Sequence, residues 1–567
     1  MSEHRASLEK GDAGAEPVDF GRRPPTSRGE NPRPGKQVET SDKGSPRGAC
    51  RGSGDGMFAE EIGRNTGDPA TWTGVSPSPK NSPRGMGSVV PEVGEAHSSE
   101  ETSNDRGAKG PQSQGKATSG EGAGIGGSLP PRNKLLELQE ALHAKAKGNP
   151  SYRFYALYDK LYRSDVLWEA WRRSRANGGV PGPDGISFER IEKEGVGRWL
   201  EELAQELREK RYEPGAVRRV WIPKANGKQR PLGIPSIKDR VVQMAAVLIL
   251  EPIFEADLQP EQHAYRQGHG AHQAVREVHG WLRRGLREVV DADLSGYFDT
   301  IPHPELMKSL ARRISDGSML AILKSWLQMP VEESDNKGGK RRSNPARKEK
   351  RGTPQGSPIS PLLANLYMRR FIVGWKQHGY EKHLKARIVN YADDFVILCA
   401  NTGEEAYAVV EKLMKALKLE INREKTRVCK LPEESFDFLG YTFTQCYKVN
   451  GGQPYIGTRP SKKKIAGITE KLSKLTERRT LGEDTAEKIE QINSLLRGWG
   501  NYFCLGPVSK AYRVVDAHAR QRLRWWLRKK HKVRGAGTGK FPDKHLYEEL
   551  GLHRLETTTR SFPWAKA

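Results

Sequence analysis

Two adjacent carboxylates, Asp393 and Asp394, sit between apolar, β-prone runs, Arg387-Ile388-Val389-Asn390-Tyr391-Ala392 on one side and Phe395-Val396-Ile397-Leu398-Cys399 on the other. Burying neighbouring anions is costly unless a cation or paired donors offset their charge. The pattern therefore reads either as a divalent-metal turn on a buried hairpin or as a polar, solvated turn. A second acidic element lies a hundred residues earlier. Glu288-Val289-Val290-Asp291-Ala292-Asp293-Leu294 reads as a buried strand ending in carboxylates and running into Ser295-Gly296-Tyr297-Phe298-Asp299.

Phosphoryl transfer by two metals about 3.5–4 Å apart needs carboxylates from separate elements, donors for a triphosphate and a channel for nucleic acid. Asp293 and Asp393 can supply the first requirement. Their hard oxygens select two Mg²⁺ ions, with Mn²⁺ as a substitute. For the second, Val217 to Pro235 alternates apolar and basic residues around Asn226-Gly227, a strong hairpin signal. Its tip presents Lys224, Lys228 and Arg230, an arrangement suited to gripping a triphosphate or simply to a solvated basic turn. Asp291 is read as a hydrogen-bonded structural acid.

The elements that must hold these groups can be traced outward. With 567 residues, 35% of them hydrophobic, the chain is long enough for two to four domains with a real core. Residues 1–130 are rich in Gly, Pro and Ser and lack periodicity, so disorder is expected there. That segment holds 16 Lys and Arg against 18 Asp and Glu, whereas the whole chain carries +25. The basic excess therefore lies downstream and suits a polyanionic partner, nucleic acid before an anionic membrane. Helical spacing of aromatic and aliphatic residues from Leu135 to Ser174, mixed with arginines, predicts a helical extension over 131–180. Helices are also expected around Trp199 to Lys210, Lys238 to Ala256 and Ile359 to Tyr380. Residues 331–350 are polar and basic and read as an exposed insertion.

Over 461–540 there are 20 Lys and Arg against 7 Asp and Glu, on three helical stripes. Ile465, Ile468, Leu472 and Leu475 make the first; Ile489, Ile492, Leu496, Trp499 and Phe503 the second; Val515, Ala519, Leu523 and Trp526 the third. In the third helix Arg520, Arg522, Arg524, Arg528, Lys529 and Lys530 interleave with Trp525 and Trp526, a pattern for backbone neutralisation and base stacking. A packed core with a solvated basic face is the alternative. Five scattered cysteines without a CxxC pair argue against a disulfide scaffold and a cysteine zinc site. His263, His269 and His272 lack companions at ligand spacing. The longest apolar run is too short to span a bilayer, so a soluble, cytoplasmic protein is expected.

The ordered series Arg219–Arg240, Asp291–Asp299, Arg351–Pro361, Tyr391–Asp394, Asn422–Thr426 and Phe436–Phe443 resembles the reverse-transcriptase blocks of bacterial group II intron-encoded proteins. Leu496–Phe503 is similar to their maturase domain. The resemblance covers about residues 133–560. It implies an α+β right-hand polymerase: fingers and palm with an antiparallel palm sheet over 181–455, then an α-helical thumb and maturase domain over 456–560. It also implies that Asp293, Asp393 and Asp394 are the catalytic and metal-binding acids, with Asp394 less directly bound.

By the same resemblance Phe298 crowds a ribose 2′-OH, and Lys224 and Arg230 hold the incoming triphosphate. Gln355 and Gly356 floor the nucleotide and template site, Lys425 is a basic palm residue, and Phe438, Leu439 and Gly440 form the primer grip. Arg497, Trp499, Arg520, Arg524, Arg528 and Lys529 are the candidate RNA contacts. The implied partners are group II intron RNA, a DNA target and primer, and deoxynucleoside triphosphates, with no membrane; the oligomeric state is left open. Pro183 and the stretch Tyr265-Arg266-Gln267-Gly268-His269 depart from the family pattern. No paired-cysteine HNH nuclease pattern follows residue 540, so second-strand cutting is not expected. Use in host defence and a splicing cofactor without polymerase activity are the rival readings. Gln355, Gly356, Ser360 and Pro361 count against a diversity-generating relative, and the intact acids count against a dead polymerase.

Overall fold

A computed structural model describes residues 133–223, 229–334, 339–448 and 451–558. The tail 1–130, the Asn226-Gly227 turn, Lys224 and Lys228 lie outside the described residues. In chain order the strands are β1 (Val217–Pro223), β2 (Gln229–Ile234), β3 (Glu288–Ala292), β4 (Val331–Ser334), β5 (Lys340–Ser343), β6 (Arg387–Tyr391), β7 (Asp394–Cys399), β8 (Arg427–Lys430), β9 (Phe436–Phe438), β10 (Tyr441–Tyr447) and β11 (Pro454–Pro460).

The palm sheet has the order β6-β7-β3-β8, with every neighbouring pair antiparallel. Both of its faces are covered, which is why its strands read as nearly continuous apolar runs rather than alternating ones. Val290, Ala292, Ile388, Phe395, Ile397 and Cys399 pack into a cluster with the surrounding helices, notably Ile237–Glu255 and Ser360–Gln377. Val289, Val389, Tyr391, Val396 and Leu398 point the other way, into a cluster shared with Phe436, Phe438, Tyr441 and Phe503. With the period of two in a strand, Asp291, Asp293 and Asp394 fall on this second face.

The fingers sheet has the order β2-β1-β4-β5, with β4 parallel to β1. Residues 331–350 are thus not a plain exposed loop. β4 extends the sheet, and β5 is a fully exposed edge strand that, among the described residues, pairs with β4 alone. Charge hides this from the sequence. Glu332 is buried, and Lys340 and Arg342 lie 3.1 and 2.9 Å from its carboxylate.

The helical extension also differs from a single run of helix. It comprises Asn133–Gly148, Tyr158–Leu161 and Ser164–Asn177, broken from Asn149 to Leu157 by a turn at Pro150–Ser151 and irregular chain after it. Pro150 lacks the N–H a helix interior needs. The break is held by Arg313, which is fully buried and donates to the carbonyls of Asn149, Pro150 and Tyr152 while pairing with Asp257 at 3.0 Å. The last helices, Lys462–Leu475, Thr485–Tyr502 and Ser509–Lys530, pack through Ile468, Leu472, Ile489, Ile492, Leu496, Val515, Ala519, Leu523 and Trp526. These are nearly the three predicted stripes. Among the described residues no helix is long and apolar enough to cross a membrane.

Candidate active site

β6 and β7 close through a two-residue turn, Tyr391 pairing with Asp394 across Ala392 and Asp393. Ala392 takes φ +60°, where a side chain is mildly strained and Gly or Asn is usual. What holds it there is Asn390, fully buried, whose Nδ2 donates to the carbonyl of Ala392 at 2.9 Å. Asp393 therefore occupies the turn and Asp394 opens β7, so the adjacent acids point differently.

Asp293 follows the end of β3 and is clamped by the Asn422–Thr426 turn. Its carbonyl accepts from the Asn422 N–H at 2.8 Å, its N–H donates to Thr426 Oγ1 at 3.2 Å, and Lys425 Nζ lies 2.8 Å from its Oδ2. Two backbone anchors and one ammonium thus fix a carboxylate that β3 alone would leave at a loose strand end.

The charges at this sheet end are poorly compensated. Dehydration by the surrounding protein raises the Asp393 carboxyl above its ordinary range; its own backbone N–H and Arg230 pull it down, and Asp293 pushes it up. Asp394 keeps solvent-accessible surface, yet close-packed protein strips enough hydration to lift it to about 7, with Asp393, Asp293 and Asp291 adding repulsion. Asp291 is pushed to about 6 by burial, against the pull of Arg427 on β8. Tyr265 faces the same acids and Tyr391, at φ +54°.

Arg230 on β2 reaches the site from the fingers. Its Nε donates to Gln355 Oε1 at 2.8 Å, and Gln355 Nε2 donates to Asp299 Oδ2 at 2.7 Å. Gln355 also accepts the Gly233 N–H at its carbonyl, 2.7 Å away. Gly356 has φ +104°, and a Cβ there would meet the Gly233 carbonyl oxygen at 2.6 Å, so only glycine lets the loop lie this close to β2. Phe298, on the short helix Tyr297–Thr300, is fixed through its carbonyl, which accepts from Thr353 N at 2.7 Å and Oγ1 at 3.3 Å.

At the opposite rim Leu439 and Gly440, at φ +51° and +81°, form the tight turn between β9 and β10. Tyr502 Oη donates to the Leu439 carbonyl at 2.9 Å, and the Ser461 N–H to that of Gly440 at 2.9 Å. A carboxylate pair on a palm strand and hairpin, a basic fingers strand over it and a pinned turn facing a helical domain can position a primer end against a triphosphate.

A model for "Reverse transcriptase (RNA-dependent DNA polymerase)" matches residues 222–443, and one for "Group II intron, maturase-specific domain" matches residues 465–541. Protein YkfC of Escherichia coli K12 is 32% identical over 371 residues, 58% of this chain and 93% of that protein. The chain belongs to the group II intron reverse transcriptase and maturase family. The group II intron-encoded protein LtrA of Lactococcus lactis is 27% identical over 54% of this chain and 59% of its own length. Among solved structures, a chain of a partial Cas6-RT-Cas1–Cas2 complex matches 46% of this chain and 41% of its own at 24% identity, with a TM-score of 0.29.

The palm is thus that of an RNA-directed DNA polymerase, and a group II intron maturase region follows it. A reverse transcriptase palm implies a divalent metal. Among the described residues no three His, Cys, Asp or Glu side chains converge as a ready-made cation site. The donor set nevertheless suits a hard cation: Asp393 makes no ion pair among the described residues, and an ammonium already sits against Asp293.

The maturase candidates fall into two kinds. Trp499 is a packing residue, 5.0 Å from Phe503 and 5.9 Å from Tyr512 between ring centroids, wedged between the palm-side and thumb clusters. Arg520 and Arg524 both pair with Asp543, and Arg524 Nε also donates to the Phe541 carbonyl. Arg528 donates to the Gly535 carbonyl, and Arg497 pairs with Glu490. Lys529 is partly exposed near the end of the helix Ser509–Lys530.

Sequence reading missed the residues that hold others in place: Asn390, Asn422, Thr426, Thr353 and Tyr502. Their signal was present only as polar residues inside the quoted motifs.

Proposed function

We propose that this protein copies RNA into DNA at the palm, with Asp293 and Asp393 as ligands of two Mg²⁺ ions and Asp394 as a weaker neighbour. The observation that carries the reading is the meeting of two carboxylates a hundred residues apart at one end of a sheet, with Arg230 close enough to perturb Asp393. The metal would neutralise charge on the transferred phosphoryl group and make the primer 3′-OH more acidic.

The chain's own residues do the rest. Arg230, with Lys224, receives the triphosphate; Gln355 and Gly356 form the floor under nucleotide and template; Phe298 crowds a 2′-OH; Leu439 and Gly440 seat the primer; Lys425 balances Asp293 before the nucleotide arrives. The 3′-hydroxyl loses its proton to water and its oxygen bonds to the α-phosphorus, while the bond from that phosphorus to the oxygen bridging it to the β-phosphorus breaks and pyrophosphate leaves.

The extension over 131–180, fingers and palm over 181–455 and thumb and maturase region over 456–560 would divide this labour. The last region, with Arg528 and Lys529 among its contacts, holds the intron RNA and assists its splicing. A DNA 3′-OH at the target site serves as primer when the intron inserts, which places the protein in the cytoplasm beside the nucleoid. The test is primer extension on an RNA template with Mg²⁺ and deoxynucleotides, alongside a splicing assay with the cognate intron. Absence of extension across a range of salt would leave only the RNA-binding role.

A further inference from the structure

Three elements meet around the Gln355 side chain. Arg230 belongs to β2 of the fingers, Gln355 to the loop before the helix Ser360–Gln377, and Asp299 to the short helix that carries Phe298. The two hydrogen bonds, Arg230 Nε to Gln355 Oε1 at 2.8 Å and Gln355 Nε2 to Asp299 Oδ2 at 2.7 Å, form a directional chain. A guanidinium only donates and a carboxylate only accepts, so the two ends together allow one orientation of the amide between them. Without the carboxylate the amide loses its anchor on the palm side, and its oxygen is no longer held toward Arg230.

The surrounding backbone is built to keep this geometry. Gly352 N–H donates to the Ile301 carbonyl at 2.9 Å and Thr353 N–H to that of Phe298 at 2.7 Å, so the loop is laced to the helix bearing Asp299. A Cβ on Gly352 would lie 3.2 Å from the Asp299 carbonyl oxygen. On the other side the Gly233 N–H holds the Gln355 backbone to β2. Arg230 spends its Nε on Gln355, and its guanidinium carries four further N–H groups on the two terminal nitrogens, the pair suited to a phosphate.

We propose that Asp299 is a positioning residue for nucleotide binding: by anchoring the Gln355 amide it sets the orientation in which Arg230 meets the incoming triphosphate. This rests on the polymerase reading above. Asp299 is joined to the amide and not to the palm carboxylates, so its loss acts on capture of the nucleotide more than on the chemical step.

The experiment is single-nucleotide primer extension with the full chain, comparing wild type, Asp299→Ala, Gln355→Ala and the double variant. Asp299→Ala should raise the KM for deoxynucleotide about tenfold with kcat within about threefold, since a misplaced binding group weakens ground-state binding. The double variant should be no worse than Gln355→Ala, because Asp299 acts through Gln355. Asp299→Asn, which keeps an acceptor oxygen, should recover most of the loss. Asp299→Ser, whose hydroxyl stops short of Gln355, repeats the test should the alanine variant not fold. An unchanged KM, or effects of Asp299 and Gln355 that simply multiply, would overturn the proposal. Wild-type protein that extends no primer would overturn the polymerase reading and this inference with it, and the control lane tells the two failures apart.

Discussion

At the end of the palm sheet Asp393, Asp394, Asp293 and Asp291 press on one another, with Lys425 and Arg427 as nearby cations and Arg230 reaching in from the fingers. In the helix Ser509–Lys530 the sign of the charge is reversed and so is its treatment. Arg522 gives its donors to Thr476 Oγ1 and to the carbonyls of Ser473 and Thr476, and Arg524 and Arg520 share Asp543. Lys530 donates to the carbonyls of Leu481 and Glu483. A group whose charge the fold leaves raw is available to a ligand, whereas one whose donors are spent on backbone carbonyls is architecture. The +13 balance of the thumb region therefore overstates its free binding surface, and the small palm cluster understates its importance.

The largest effect should come from the palm. Asp393→Asn keeps the size of the side chain and removes the anion. Primer extension should fall by at least about a thousandfold, on the scale of losing a dominant electrostatic group in an active site. Affinity for intron RNA should change by less than about twofold, read by filter binding of the same preparation. Asp394→Asn should moreover raise the melting temperature by about 2–4 °C, since it relieves repulsion that the fold tolerates for function. A lower melting temperature would mean that the acids are already compensated, and the contrast with the thumb would collapse.

In the thumb the corresponding large change is structural. Trp526 is fully buried, with its indole N–H donating to Thr480 Oγ1 at 3.0 Å. Trp526→Ala should cost about 3–5 kcal/mol by cavity formation, seen in denaturant melts. RNA binding and extension should fall together with folding. Loss of RNA binding in a fully folded Trp526 variant would instead make this ring a contact.

Phe298 tests the palm at finer resolution. Its carbonyl is laced to Thr353, so truncating the ring to alanine leaves the backbone in place. Discrimination against ribonucleotides should drop about tenfold or more, since the site then lacks the bulk that clashes with a 2′-OH. The check is the ratio of kcat/KM for the two sugars. An unchanged ratio would move the sugar gate elsewhere.

How far these contrasts could be read from residues alone follows the same physical line. The palm strands were legible because both faces are buried, and the three thumb stripes because amphipathic helices repeat. β4 and β5 were not. Val331-Glu332-Glu333-Ser334 and Lys340-Arg341-Arg342-Ser343 carry no apolar alternation, and their pairing rests on backbone bonds with Glu332 buried under two cations. The helical break at Asn149–Leu157 depends on Arg313, more than 150 residues away. Among the site residues, the acids at the palm sheet end stood out in the sequence as charge set between apolar runs. Asn390, Thr426 and Asp299 are tied in by individual side-chain hydrogen bonds, which leave no periodic trace. Trp499 packs on Phe503 and Tyr512, and Arg520 and Arg524 pair with Asp543, contacts the sequence does not announce, because interleaved aromatic and basic residues look alike on a binding face and in a helix interface.

The smallest predicted effect separates those two meanings within one helix. Arg524 is largely buried and tied to Asp543 and the Phe541 carbonyl, while Lys529, five residues on, is partly exposed. If spent donors mean architecture, Arg524→Gln should lower the melting temperature. It leaves the Phe541 carbonyl without this donor and Asp543 with Arg520 as its remaining arginine partner, at a cost of about 1–3 kcal/mol, yet it should leave the salt dependence of RNA affinity unchanged. Lys529→Gln should do the reverse: no change in melting, a loss of affinity of about threefold, and a salt slope lower by about one, as expected for one lost phosphate contact. Binding measured across a salt series for both variants decides it. A lower slope for Arg524→Gln with none for Lys529→Gln would show that the paired arginines, and not the exposed lysine, face the RNA.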